Sequence, residues 1–209
     1  MKNLIPAALV AMSLSGMSGA QAETIGVSMA SSGNTFLTVL KNRILEQADE
    51  IGGIELNFVE SENDGETQIA QLQAFIDAGV DAVVLHVVNE DIGVELSDMA
   101  AAAGVPAVFV NRPPKNVDAL PALQGFVASA ERDAGRLQAE YVCETLIDAG
   151  KTDNVTAMIL RGPDDHAGAI GRTAAVKEVL ATDTCNFISI VSEDVASWSR
   201  ETAAGLVTA

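Results

Sequence analysis

Thr24-Ile25-Gly26-Val27-Ser28-Met29-Ala30, then the polar Ser31-Ser32-Gly33-Asn34, then Leu37, Leu40, Ile44, Ala48 and Ile51 at helical spacing, is the stretch that decides the fold. A short apolar run, a polar loop and an apolar residue every three to four positions spell strand, loop and amphipathic helix. Gly52-Gly53 stops the helix, because glycine tolerates the positive φ that a helix end requires. Residues 54–59 read as the next strand, and Ile69, Leu72 and Ile76 as a second helix ended by Gly79. Residues 82–85 are continuously apolar, as a parallel strand covered on both faces should be. Ile92, Leu96, Met99 and Ala103 predict a third helix, stopped by Gly104, with a strand at 106–110.

Strands alternating with helices of this length require a parallel sheet with right-handed crossovers. The expected fold class is therefore α/β, with two doubly wound lobes joined by a hinge. The first lobe is expected over 23–112, and a linker over 113–123, where Pro113, Pro114 and Pro121 break the rhythm. The second lobe, 124–209, repeats the alternation: strand 126–128, helix 130–149, strand 154–160, helix 168–181, strand 187–191 and a helix from about 198. Three strands leave the second sheet with an apolar edge, so this lobe is expected to be incomplete and the chain a piece of a longer protein.

Working back to the N-terminus, Lys2, the uncharged apolar run from Leu4 to Leu14 and Ala20-Gln21-Ala22 form a secretory signal peptide over residues 1–22. The apolar run is too short to span a bilayer, so the product is expected to be exported to the periplasm without inserting in the membrane. Removing it takes away one lysine and moves the formal net charge from -17 to -18. So acidic a chain repels phosphate backbones, which excludes nucleic acid as a partner. Cys143 and Cys185 form an even pair in an oxidising compartment, for which a disulfide is expected and a free buried pair is the alternative. Two cysteines 42 positions apart with two histidines match no zinc-ligand spacing, so no metal site is expected.

Ligands of open α/β sheets collect at the carboxyl ends of the strands. The polar residues there are Asn34, His86, Asn111, Arg112 and Ser129, with Phe36 and Trp198 beside the same loops as candidate ring-stacking aromatics. His166 follows Asp164 and Asp165, and an Asp-rich turn explains that cluster better than an acid/base pair. No Gly-x-Ser-x-Gly elbow or His-Glu-x-x-His run supports a hydrolase.

The opening strand, Asn34-Thr35-Phe36-Leu37, Ala78-Gly79-Val80-Asp81-Ala82, Val108-Phe109-Val110-Asn111-Arg112-Pro113-Pro114, Phe126-Val127-Ala128-Ser129, Gly171-Arg172-Thr173 and Ala196-Ser197-Trp198-Ser199-Arg200 occur in the order that resembles the periplasmic sugar-binding proteins of ABC importers. The likeness is greatest to the rhizopine and inositol-type subgroup. It implies a monomeric, non-enzymatic binder, without cofactor, that captures a monosaccharide or cyclitol between its lobes and hands it to a membrane permease. A periplasmic sensing module for a chemoreceptor or sensor kinase is the alternative. The resemblance implies ring stacking by Phe36 and Trp198, hydroxyl contacts from Arg112 and Arg172, and polar contacts from Asn34, Asn111 and His86. Gly33, Gly168 and Ala130 stand where relatives carry acids or amides. Arg112 and Arg172 are expected to reach into one cleft from opposite lobes and to repel each other while it is empty.

Overall fold

The computed structural model describes residues 22–208. The expected export signal lies outside the described residues except for Ala22. The chain runs β1 (Glu23–Met29), α1 (Thr35–Ile51), β2 (Ile54–Glu60), α2 (Gly65–Ala78), β3 (Ala82–His86), α3 (Glu90–Ala103), β4 (Ala107–Val110), β5 (Gln124–Val127), α4 (Glu131–Asp148), β6 (Val155–Arg161), α5 (Ala167–Leu180), β7 (Ile188–Val195) and α6 (Arg200–Thr208).

Five strands form one parallel sheet in the order β2-β1-β3-β4-β5. Met29 pairs with Glu60 on one side and with His86 on the other, so the carboxyl ends of three strands lie in one row. The winding direction reverses between β1 and β3, which opens the crevice where doubly wound sheets take ligands. Val83 and Leu85 point into a core under α2 and α3 with Leu72, Phe75, Leu96 and Phe109. Val84, between them, packs on the other face with Val27, Met29 and Leu37 of α1. That two-sided burial is what the uninterrupted apolar run 82–85 required.

Asn34, Asp64 and Asn89 cap α1, α2 and α3, each accepting a bond from a backbone N–H three residues on. This satisfies one of the amides that a helix start leaves without a partner.

One expectation is overturned here. The strand placed at the start of the second lobe belongs to the first sheet: β5 pairs with β4 through Phe109 with Phe126 and Val110 with Val127. The proline-rich segment is therefore a connection inside one sheet and not a passage between lobes. It turns back on itself because Asn111 at φ 66° reverses the chain while its N–H bonds Val127 O at 2.9 Å. Asparagine is among the few residues that accept this backbone region. Pro114, fully buried, then packs on Gly93 of α3, where an added Cβ would lie 2.7 Å from Pro114 Cα.

The second sheet has two parallel strands, β6 and β7. A register shift after Ala157 leaves Val191 unpaired, and β7 continues past it to Val195, beyond the expected end at 191. The extension is polar, and ion pairs hold it: Glu193 meets Arg161 Nε at 2.9 Å and also binds Lys177. Helices α4 and α5 pack against each other on this sheet. Cys143 of α4 and Cys185 after α5 form the expected disulfide, with Cα atoms 5.7 Å apart.

Candidate functional site

The interlobe site is built on the row of strand ends. His86 closes β3 and is only 3% exposed. Its Nδ1 is buried and takes no hydrogen bond among the described residues. Burial, and then the positive charge of Arg112, push its pKa down to about 4, opposed by the hydrogen-bonding influence of the Asn111 side chain, which favours the protonated ring. His86 is therefore neutral at physiological pH.

That pKa has a stability consequence. An unfolded histidine titrates near 6.5. The folded-state value is depressed, so the native state binds fewer protons; the stabilisation is whole above about pH 6.5 and is lost as pH falls towards 4. Denaturant melts between pH 4 and 7 should show this loss in the wild type and a flatter profile in His86→Asn. Equal slopes for the two proteins would show that His86 does not carry it.

Arg112 leaves the reversed Asn111 and directs Nη1 at two carbonyls, Val87 O at 3.2 Å and Val88 O. The same segment is fixed from below by Gln68, a fully buried side chain of α2. Its amide donates to His86 O at 3.0 Å and to Ser28 Oγ at 3.2 Å, and its carbonyl accepts from Val88 N at 2.9 Å. Sequence reasoning passed over Gln68. Its signal was a polar residue at the head of the apolar stripe that Leu72 and Phe75 continue at i+4 and i+7.

From the second lobe come His166, Arg172 and Trp198. His166 caps α5 through Nδ1, which accepts from Gly168 N at 3.1 Å. Its ring meets the Trp198 ring edge to face, with centroids 5.5 Å apart. Burial and the Arg112 charge lower its pKa, against Glu131 and Asp165. His166, set aside in the sequence as part of an acidic turn, therefore stands against Trp198 and near enough to Arg112 to feel its charge. The missed signal was position: it lies between the carboxyl end of β6 and the start of α5. Trp198 follows Ser197, both at positive φ, and lies flat against Gly162, where any Cβ would overlap the ring.

An open cavity of about 390 Å³ joins the lobes, lined among others by Asn111, Phe126, Ser129, Glu131, Gly168 and Gly171. Asn111 is the expected ligand residue that faces it directly. Arg112 and Arg172 sit at its margins, each next in sequence to a lining residue. Neither is a free clamp repelling the other, because Arg112 is held by carbonyls and Arg172 Nε bonds Glu131 Oε2. Asn34 uses Oδ1 to cap α1. Phe36 is 56% exposed on the first turn of α1 and Trp198 is 47% exposed, so both present uncovered ring surface.

A family model described as periplasmic binding protein domain matches residues 25–208, and the chain belongs to that family. A Rhizobium meliloti protein named for rhizopine binding is 42% identical over 189 residues, covering 90% of this chain and 60% of that protein. The xylitol-binding protein of Mycolicibacterium smegmatis is 30% identical over 151 residues, covering 72% of this chain and 40% of its own length. Among solved structures, a Bacillus halodurans ABC transporter solute binding protein with bound myo-inositol superposes with a TM-score of 0.75 at 28% identity, over 90% of this chain and 62% of that one. The chain thus spans about 60% or less of the curated relatives it matches.

Proposed function

We propose that the protein captures a monosaccharide or cyclitol of the inositol type between its lobes, in the periplasm, and delivers it to an ABC permease as a monomeric, non-catalytic binding component. The observation that carries this reading is the cavity between Asn111, Phe126 and Ser129 at the carboxyl ends of β4 and β5 and Glu131, Gly168 and Gly171 of α4 and α5, with Arg112 and Arg172 next in sequence to lining residues and the exposed rings of Phe36 and Trp198 on loops that follow β1 and β7. Flat apolar ring faces stack on Phe36 and Trp198, while equatorial hydroxyls meet Asn34, His86, Asn111, Arg112 and Arg172. An amino acid would need paired sites for its ammonium and carboxylate. The hinge of this reading lies at residues 128–130, after β5, and the pairing of β5 with β4 of the first sheet supports that position.

Calorimetry on the full-length protein tests the reading. Heat on titration with myo-inositol or a pyranose supports it; tight binding of a free amino acid with no response to any polyol overturns it. In the same assay Arg112→Ala is expected to lose about 1.5–3 kcal/mol of affinity, the range for a hydrogen bond to a charged group. Its thermal midpoint without ligand should fall too, because the carbonyls of Val87 and Val88 lose their donor. Arg112→Lys keeps the charge but not the planar fork and should recover little. Unchanged affinity in Arg112→Ala would remove this residue from the site.

A further inference from the structure

We infer that Glu131 sets the charge preference of the interlobe cleft, so that it admits rings that are neutral or bear an ammonium group and turns away rings that bear a carboxylate or phosphate. The inference rests on reading the cavity as a ring-binding site. Glu131 stands in the first turn of α4 and lines the cavity. Its side chain lies along two glycines of α5, the carboxyl carbon against Gly168 and the Cβ against Gly171. An ideal Cβ on Gly168 would lie 3.2 Å from Glu131 Cδ, and one on Gly171 would lie 3.5 Å from Glu131 Cβ.

The cations around the cavity are already engaged. Arg172 Nε donates to Glu131 Oε2. Arg132, which also lines the cavity, turns away and donates to Glu178 Oε1 and Oε2 at 2.7 and 2.6 Å. Arg112 is bound to backbone carbonyls, with Asp165 and Glu90 near enough to act on its charge. His86 and His166 are both shifted towards the neutral form. Glu131 Oε1, by contrast, takes no hydrogen bond among the described residues and remains an acceptor for a ligand hydroxyl or ammonium. An incoming anion would meet two carboxylates in the lining, Glu131 and Asp133, and guanidinium groups whose charge is already partnered by carbonyls or by Glu131, and like charges brought together at a binding surface repel.

The test is a calorimetric titration of the full-length protein with myo-inositol, D-glucosamine and D-glucuronate. The wild type is expected to bind one or both of the first two and to bind glucuronate at least about tenfold more weakly. In Glu131→Gln, which frees Arg172 Nε and removes one of the two negative charges in the lining, glucuronate should gain at least about tenfold relative to myo-inositol. Glu131→Asp should keep the wild-type order. Equal binding of glucuronate and myo-inositol by the wild type, or an unchanged order in a folded Glu131→Gln protein, would overturn the inference while leaving the ring-binding reading intact. Where the glutamine variant fails to fold, the wild-type order decides. No response to any of the three by folded wild type would bring down the ring-binding reading and this inference with it.

Discussion

Replacing Cys143 and Cys185 together by alanine is expected to lower the stability of the second lobe by about 4 kcal/mol, from the chain entropy released when a cross-link closing a loop of this length is removed. The bond ties α4 to the turn after α5 across 42 positions. The buried core it belongs to is small, comprising Ala139, Leu180 and Ile188 besides the two cysteines, so packing alone has little apolar area with which to compensate. Denaturant titration of the oxidised protein, the reduced protein and the double variant measures the effect. The reduced protein and the double variant should agree with each other, and a loss under about 1 kcal/mol would show that packing holds the lobe without the bond.

Gly135→Val should destabilise the same lobe by about 3 kcal/mol, the upper part of the range for overpacking a tight contact. Gly135 lies where α4 crosses α5. A Cβ built there would lie 2.7 Å from Arg172 Cα and overlap the Arg172 carbonyl, and both are backbone atoms that cannot swing aside. Two effects oppose each other at this position: glycine inside a helix costs about 1 kcal/mol relative to alanine. The steric term is larger, so even Gly135→Ala should lower the thermal midpoint. Gly205→Ala in α6, where nothing lies within 4 Å, should leave it unchanged or raise it. A rise in both variants would mean that α4 and α5 are not in close contact. Because Arg172 is the residue struck, ligand affinity should fall with stability in the Gly135 variants.

The alternation of apolar runs and helical stripes was enough to read the elements of the fold, because burial on both sheet faces leaves a continuous apolar signature such as 82–85. Strand partnership is a different kind of information. β5 looked like the opening of a new lobe because prolines preceded it, yet its partner is β4, and only the path of the connection, set by the positive φ of Asn111 and the burial of Pro114, reveals that. β7 was read too short for a related reason: Ser192, Glu193 and Asp194 break the apolar run, and the cations that hold them come from other elements.

The positions of His86, Asn111 and Arg112 at strand ends were legible, because each follows an apolar run that reads as a strand. The site was less legible where one side chain reports on another. Nothing in the one-dimensional pattern says that Arg172 is bound to Glu131, or that His166 lies against Trp198 and in the field of Arg112. Gln68 could have been found, since a buried amide in an apolar stripe must satisfy its donors and acceptor somewhere. It does so on the backbone of the segment that carries His86 and receives Arg112.

Trp198 is the one tryptophan in the sequence. Its indole is partly wet, rests on Gly162 and meets the edge of the His166 imidazole. Emission excited at wavelengths that Tyr141 does not absorb therefore originates at one address, the loop between β7 and α6. Under the proposed function, a ring stacked on Trp198 would change how much water reaches the indole and how its histidine neighbour quenches it, so the native sequence would report capture optically and need no attached dye.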